Sequence, residues 1–117
     1  MKIFLACPVR GISDEYREGI EAQVKHLEEQ GHKVHYPPRD TNQDDPTGIK
    51  ICAENQAAIN SADCIYVIWD GKSQGVLFDL GMAFVMNKPL RTIVGYMPAM
   101  TNGKSFQNMM FAWEDII

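Results

Sequence analysis

The sequence predicts an α/β domain in which a parallel β-sheet is covered by helices on both faces. Short apolar runs, typical of buried strands, alternate along the chain with longer segments whose apolar residues recur every three or four positions, as on one face of a helix. Turn-forming Gly, Pro, Asn and Asp residues separate these segments. Strict alternation of strand and helix requires crossover connections, and these connections produce parallel strands.

The chain begins with a strand, a helix and a second strand. KIFLA (2–6) is a short apolar run of the kind found in buried strands. The helix begins after Ser13, whose hydroxyl suits an N-cap, and continues to Gly31, which favours a helix C-terminus. HKVHY (32–36) is the second strand, and two prolines end it.

A polar, turn-rich segment, PPRDTNQDDPTG (37–48), follows the second strand and is predicted to be irregular. Near its end, Asp45 and Pro46 form a helix start, with Asp45 as the N-cap and Pro46 at the first helical position. This second helix is expected to end near Ser61.

The second half of the chain repeats the alternation. DCIYVIW (63–69) is the third strand, and the next helix runs from Gly75 to Asn87. LRTIVGY (90–96) is the fourth strand, and the segment 102–117 is the final helix.

Together these elements predict a single domain over residues 1–117. Right-handed crossovers favour a doubly wound, flavodoxin-like or Rossmann-like sheet of four to five strands in the order 2-1-3-4, with a fifth strand at the end if one forms. Ligands bind such sheets beyond the carboxyl ends of the strands, near the switch point between the first and third strands. Function is therefore expected in CPVRG (7–11) and DGKSQG (70–75), with the 37–48 segment alongside.

Composition excludes several classes of function. A net charge of -4 and a pI near 5.2 argue against nucleic-acid binding, which needs a basic patch. Three cysteines without a CxxC pair are typical of reduced thiols in a cytoplasmic protein. No signal peptide or membrane span is expected, because no apolar run approaches about 20 residues. The three histidines lack metal-ligand spacing and are expected to be solvated, so no metal site is predicted.

Two polar residues interrupt apolar helical faces. Asp79 is the single charge in GVLFDLGMAFVM (75–86), and Asn55 lies on the face formed by apolar residues three or four positions away. An acid in such a place either interacts with the helix dipole or is a desolvated carboxylate that serves as a nucleophile or base. Asn55 is either a buried amide bonded to nearby backbone or a group that reads a ligand in the same cleft.

The two switch-point segments contain a candidate anion site. Arg10 and Gly11 follow the first strand, and Ser73 and Gly75 precede a helix whose first N–H groups are free to bind an anion. Neither GxGxxG nor GxxxxGK[ST] occurs in the chain, so the sequence predicts neither a dinucleotide fingerprint nor a P-loop.

Four segments carry a resemblance to a known family: KIFLACPVRG, EEQGHKVHYPPRD, the block from Asn55 to Pro89, and QNMM near the end. They resemble the nucleoside 2-deoxyribosyltransferases, and equally the 2'-deoxynucleoside 5'-phosphate N-hydrolases of the same superfamily. The most specific part is S-x-G-x-x-x-[ED]-x-G-x-A followed by KP. The resemblance covers nearly the whole chain.

The resemblance implies a role for several of the candidate residues. Asp79 occupies the position of the nucleophile that attacks the anomeric carbon, and Asn55 that of a residue that activates the nucleobase or positions the sugar. Arg10 and Ser73 match positions that contact a 5'-phosphate in the hydrolases. Tyr16 lies where an aromatic side chain lines the pocket. No metal or cofactor is implied, and the expected partner is a nucleoside or nucleotide.

Two residues depart from the family pattern. Asp79 replaces a glutamate and is shorter by one methylene, about 1.5 Å of reach. Asn55 replaces an aspartate and cannot transfer a proton, so Asp40, Asp44 or Asp45 would have to supply acid–base catalysis. These departures keep a second hypothesis open, a binding module that holds a nucleotide-like ligand without turning it over. The leading hypothesis is N-glycosidic bond cleavage or transfer.

The final helix suggests assembly. Phe106, Met109, Met110 and Trp113 form an apolar face that packs either on the chain's own core or on a second copy. The resemblance favours a homodimer in which the residue matching Asn108 reaches into the partner's site.

Overall fold

The computed structural model describes residues 1–116 and contains four strands and five helices in those residues. In chain order they are β1 (Lys2–Ala6), α1 (Asp14–Glu29), β2 (Lys33–His35), α2 (Pro37–Asp40), α3 (Ile49–Ser61), β3 (Cys64–Val67), α4 (Gln74–Val85), β4 (Leu90–Thr92) and α5 (Phe106–Asp115).

The strands form one parallel sheet in the order β2-β1-β3-β4, as the crossover argument predicts. β1 lies at the centre, with Phe4 opposite His35 of β2 on one side and opposite Ile65 of β3 on the other. Four of the five β1 residues are buried, because helices cover both of its faces. This confirms the predicted flavodoxin-like α/β fold.

The helices are divided unequally between the two faces of the sheet. α1 packs on one face through Ile20, Val24 and Leu27. α3, α4 and α5 cover the other face, where Met110 and Trp113 of α5 join the same apolar cluster as α3 and α4. These two α5 side chains therefore pack on the chain's own core.

Tyr16 and Tyr96 pack against the apolar cluster between α1 and the sheet. Tyr16 of α1 meets Tyr96 edge-on, with ring centroids 6.4 Å apart. Gly19, one turn further along α1, permits this approach, because a Cβ at that position would lie 2.7 Å from the Tyr96 hydroxyl oxygen. The contact fixes the segment after β4 against α1.

Two expectations for the segment 37–48 are wrong. Its first four residues form the single helical turn α2, which begins with Pro37. α3 begins at Ile49 rather than Pro46, because Gly48 takes a φ of 85° as its N-cap residue. The Asp45 carboxylate still caps this helix from a distance, since it accepts the backbone N–H groups of Lys50 at 2.7 Å and Ile51 at 3.1 Å.

The last two elements are shorter than predicted. β4 ends at Thr92 because the chain then turns, with Gly95 at a φ of 88°. α5 begins only after Ser105, whose side chain caps the N–H of Asn108, and Gly103 at a φ of 80° turns the chain just before it. The end of the predicted final helix, Ile117, lies outside the described residues. No fifth strand occurs in residues 1–116.

None of the helices in residues 1–116 has both the length and the apolar character that a membrane crossing requires.

Candidate active site

A cavity of about 530 Å³ opens at the carboxyl ends of β1 and β3. Both switch-point segments contribute to it, as do α2, α3 and α4. Its lining residues are Cys7, Val9, Arg10, Pro37, Gln43, Gly48, Ile51, Cys52, Lys72, Ser73, Gln74, Gly75 and Asp79. We call it the site cavity.

Asp79 is the single acidic side chain among these lining residues. It projects from the second turn of α4 and is largely buried. Burial raises the pKa of Asp79 from 3.8 to about 7, and a hydrogen bond from the side chain of Asn55 acts in the opposite direction. No lysine, arginine or histidine within residues 1–116 forms an ion pair with this carboxylate. The group is therefore a desolvated carboxylate close to its titration point at neutral pH.

Asn55 supports Asp79 from α3. Its side chain is only 5% exposed, and its Oδ1 accepts the Thr41 hydroxyl at 2.7 Å. Thr41 is 3% exposed and follows α2 directly. The amide is held by another side chain, not by backbone, and its remaining polar end acts on Asp79. Both polar interruptions of the apolar helices thus meet at one place.

The mouth of the site cavity is cationic. Arg10 follows β1, Lys72 precedes α4, and neither forms an ion pair with the acids of residues 1–116. Gln74 and Gly75 occupy the first two positions of α4, where backbone N–H groups have no acceptor within the helix. Two free cations and a helix N-terminus therefore face one space, which suits an anion.

The loop between β3 and α4 is held in place by its own hydrogen bonds. The Asp70 carboxylate accepts the N–H groups of Lys72 at 2.9 Å and Ser73 at 2.8 Å. Trp69 donates its indole N–H to the Ser73 carbonyl at 3.0 Å, and the Ser73 hydroxyl caps the N–H of Val76. Groups of the loop itself therefore hold it beside the site cavity.

Four of the predicted site residues do not line the site cavity: Asn55, which is buried between Thr41 and Asp79, and Gly11, Tyr16 and Asn108. Gly11 forms a turn with a φ of 68°, and Tyr16 packs against Tyr96 on the α1 face. Asn108 ties together its own loop, since its amide donates to the carbonyls of Thr101 and Gly103 at 2.7 and 2.8 Å.

The alternative acids from the segment 37–48 are also outside the lining. Asp40 accepts the N–H of Tyr36 and pairs with Arg39, and Asp45 caps α3. Asp44 is exposed to solvent. None of the three is placed to supply acid–base catalysis in the site cavity.

Sequence reasoning missed several residues at or near the site. Lys72 was detectable, because it directly precedes Ser73 in a segment that was expected to bind. Cys7 and Cys52 both line the cavity, and burial together with the Asp79 charge raises the pKa of Cys7 to about 12. The Cys7 thiol is therefore protonated and unsuited to nucleophilic attack at neutral pH.

The expectation of solvated histidines is wrong for His35. Its ring is half-buried, stacks on Phe4 at 5.5 Å and lies 2.8 Å from the Thr41 hydroxyl. The cause is the register of β2, which places His35 beside Phe4 under α3. Residues 1–116 hold no group of three His, Cys, Asp or Glu side chains arranged to bind a metal ion.

Comparison with known proteins agrees with this architecture. A 2-deoxyribosyltransferase from Bacillus psychrosaccharolyticus superimposes with a TM-score of 0.75 at 18% identity, covering 99% of this chain and 90% of the other. The CMP N-glycosidase BcmB from Clostridium botulinum gives a TM-score of 0.59 at 24% identity, covering 79% of this chain and 70% of the other. No curated protein sequence matches the chain.

The family model for nucleoside 2-deoxyribosyltransferase matches residues 3–110, a range that extends from the second residue of β1 to the middle of α5. The chain therefore belongs to the nucleoside 2-deoxyribosyltransferase family.

Proposed function

We propose that the protein cleaves or transfers the N-glycosidic bond of a nucleoside or nucleoside 5'-monophosphate, with Asp79 as the nucleophile. The observation that carries the proposal is the single desolvated carboxylate in the site cavity, which has no cationic partner in residues 1–116. Family membership supports the reaction class, since the structural neighbours are a deoxyribosyltransferase and an N-glycosidase.

In the proposed reaction a carboxylate oxygen of Asp79 attacks C1' of the sugar. The C1'–N bond breaks, and its electron pair leaves with the base. The sugar is then held as an ester of Asp79 until water or a second base attacks C1' and restores the carboxylate. The transition state resembles an oxocarbenium ion, so the negative charge of Asp79 stabilises it before the covalent bond is complete.

Burial contributes to this chemistry in two ways. A carboxylate that has lost its water shell needs no desolvation when the sugar arrives, and its charge acts more strongly in the low-dielectric cavity. Asn55 donates a hydrogen bond to the carboxylate and cannot protonate it, so it supports the charged form. A pKa near 7 leaves a large ionised fraction at neutral pH.

The cationic mouth favours a 5'-monophosphate as the substrate. Arg10, Lys72 and the first N–H groups of α4 lie on the same cavity as Asp79, so a sugar over Asp79 would carry its phosphate toward them. The Ser73 hydroxyl adds a hydrogen-bonding group at the same edge.

A binding module is the second candidate function, and two residues favour it. Asp79 is shorter than the family glutamate, and Asn55 cannot take part in proton transfer. The test is to incubate the pure protein with a panel of ribo- and deoxyribonucleosides and their 5'-monophosphates, and to measure free base by chromatography and binding by calorimetry. Base release that Asp79→Asn abolishes supports the enzyme, whereas binding without base release supports the module.

We also propose that the protein assembles as a homodimer. The outward face of α4 exposes Phe78 at 57% and Val85 at 79%, with Gly81 between them, although a helix this apolar is normally covered on all sides. Phe106 and Met109 of α5 are also exposed. A partner chain would bury these side chains beside the site cavity.

Within this dimer, Asn108 of one chain approaches Asp79 of the other. Mixing inactive Asp79→Asn subunits with inactive Asn108→Ala subunits is expected to restore up to about one site per mixed dimer, because both lesions then fall in the same cleft. Light scattering at micromolar concentration measures the assembly. A monomer, or no rescue after verified subunit exchange, contradicts the shared site.

A further inference from the structure

Thr41 and Asn55 are the two buried polar side chains of residues 1–116, and they are bonded to each other. The contact belongs to a longer polar path, in which two hydrogen bonds lead from His35 to Asn55 and the Asn55 side chain in turn lowers the pKa of Asp79. His35 Nε2 lies 2.8 Å from Thr41 Oγ1, Thr41 Oγ1 lies 2.7 Å from Asn55 Oδ1, and Asn55 acts on the Asp79 carboxylate. The path joins β2, the residue after α2, α3 and α4.

The directions of these bonds follow from the number of protons. A threonine hydroxyl has one proton, and Thr41 donates it to Asn55 Oδ1. Thr41 Oγ1 must then accept from His35, so His35 Nε2 carries a proton. With its oxygen bonded to Thr41, the Asn55 amide has its NH₂ end left for Asp79, which agrees with the direction in which Asn55 shifts the pKa of that carboxyl. Every donor in the path therefore points toward Asp79.

We propose that Thr41 and His35 are positioning residues that hold the Asn55 amide in the one orientation able to donate to Asp79. The inference rests on the proposed function, because it assigns to these residues the support of its nucleophile. An unheld amide could turn by 180° and present its oxygen to the carboxylate, which would repel the charge needed for attack at C1'.

Charged and titratable groups surround both ends of the path. Asp40 and Arg39 from α2 and Glu54 from α3 act on His35, and burial lowers the pKa of its ring. At the other end, the Cys7 thiol faces Asp79, and Arg10 and Lys72 line the same cavity. Thr41 does not titrate, so its substitution changes the path without adding or removing a charge.

The decisive experiment is the titration of Asp79 by NMR in protein labelled with ¹³C at the aspartate carboxyl, with Asp79→Asn identifying its signal. Thr41→Val keeps the side-chain shape and removes the hydroxyl, whereas Thr41→Ser keeps the hydroxyl. We expect Thr41→Val to raise the pKa of Asp79 by about one unit, equivalent to a tenfold change in the protonation constant. Thr41→Ser is expected to leave it near the wild-type value.

His35 provides a second pair of variants. His35→Phe keeps a ring on Phe4 and removes the donor, so it is expected to raise the pKa of Asp79, while His35→Gln retains an N–H donor and restores it. If base is released, the rising limb of kcat/KM against pH shifts with the NMR value and kcat falls more than KM changes. An unchanged Asp79 titration in both Thr41→Val and His35→Phe overturns the proposal. Absence of base release from the wild type defeats the proposed function alone, because the titration still measures the path.

Discussion

Two cavities of similar volume lie on this molecule, and their charges are arranged in opposite ways. The second, of about 560 Å³, lies beside β2 and is lined by charged residues that include Lys33, Arg39 and Asp40. We call it the β2 groove. Its central cation is fully engaged, since Arg39 donates to Glu28 at 3.1 Å, to Asp40 at 2.9 Å and to the Val34 carbonyl at 2.9 Å.

The site cavity has no such internal pairing. Arg10, Lys72 and Asp79 line it, and none of them forms an ion pair within residues 1–116. The two acids also respond to their surroundings in opposite directions. Burial raises the pKa of Asp79, whereas for Asp40 hydrogen bonds from Arg39 and Tyr36 outweigh burial and lower it. The paired charges of the β2 groove are bound to each other, whereas the charged groups of the site cavity, which form no ion pairs, are available to a ligand.

The largest expected effect is the difference in enzymatic activity between a substitution of Asp79 and a substitution of Asp40. Asp79→Asn removes the proposed nucleophile and is expected to lower kcat/KM for base release by at least about a thousandfold. Asp40→Asn in the β2 groove is the matched control and is expected to change kcat/KM by less than about twofold. Chromatographic assay of free base measures both. Equal activity of Asp79→Asn and wild type would remove Asp79 from the mechanism.

The cations of the two cavities are expected to differ in their effect on the binding of nucleoside 5'-monophosphates. Arg10→Ala and Lys72→Ala are each expected to weaken binding of nucleoside 5'-monophosphates by about ten- to a hundredfold, because a hydrogen bond to a charged group contributes roughly 1.5–3 kcal/mol. Binding of nucleosides should change little. Lys33→Ala, at a lysine of the β2 groove, should affect neither ligand. Calorimetric titration checks all three, and equal losses for both ligand classes would contradict a phosphate site.

Asp79 and Asp40 are expected to change the free energy of unfolding with pH in opposite directions, because their pKa values are shifted in opposite directions. The folded-state pKa of Asp79, about 7, exceeds its ordinary value of 3.8, so its contribution to stability is present below about pH 4 and is lost as pH rises toward 7. Asp79→Asn removes this loss and is expected to raise the free energy of unfolding at pH 8 by up to about 4 kcal/mol. Urea unfolding at pH 4 and pH 8 measures the difference. A variant equally stabilised at both pH values would exclude this cause.

The smallest expected effect concerns Asp40. Its pKa is lowered, so its contribution is present above its ordinary value of 3.8 and is lost as pH falls through the lowered pKa. The pair with Arg39 is partly exposed, and Asp40→Asn is therefore expected to cost about 0.5–1 kcal/mol at pH 7. The same unfolding experiment at pH 7 and pH 3 tests it. A larger loss at pH 3 than at pH 7 would reverse the assigned sign.

Local signals in the sequence predicted the sheet order and the edge of the sheet at which the site cavity lies. The apolar runs of β1 and β3 are long enough to identify buried strands, and parallel strands bring their carboxyl ends to one edge. Asp79 and Asn55 were recognisable because each breaks an apolar helical face. The start of α3 was misplaced because Asp45 caps it across a turn, and the capping signal alone does not show how far the carboxylate reaches.

The sequence by itself determined the fold class, the family resemblance and the two polar interruptions of apolar helical faces, Asp79 and Asn55, that we propose as site residues. Only the tertiary structure showed that Thr41 is hydrogen-bonded to both His35 and Asn55. It also showed that Lys72 and Asp79 line the same cavity. Local periodicity reports which face of a helix or strand is buried. Which polar groups then meet depends on strand register and helix packing, and His35 reaches Thr41 only because β2 lies parallel to β1 with His35 opposite Phe4.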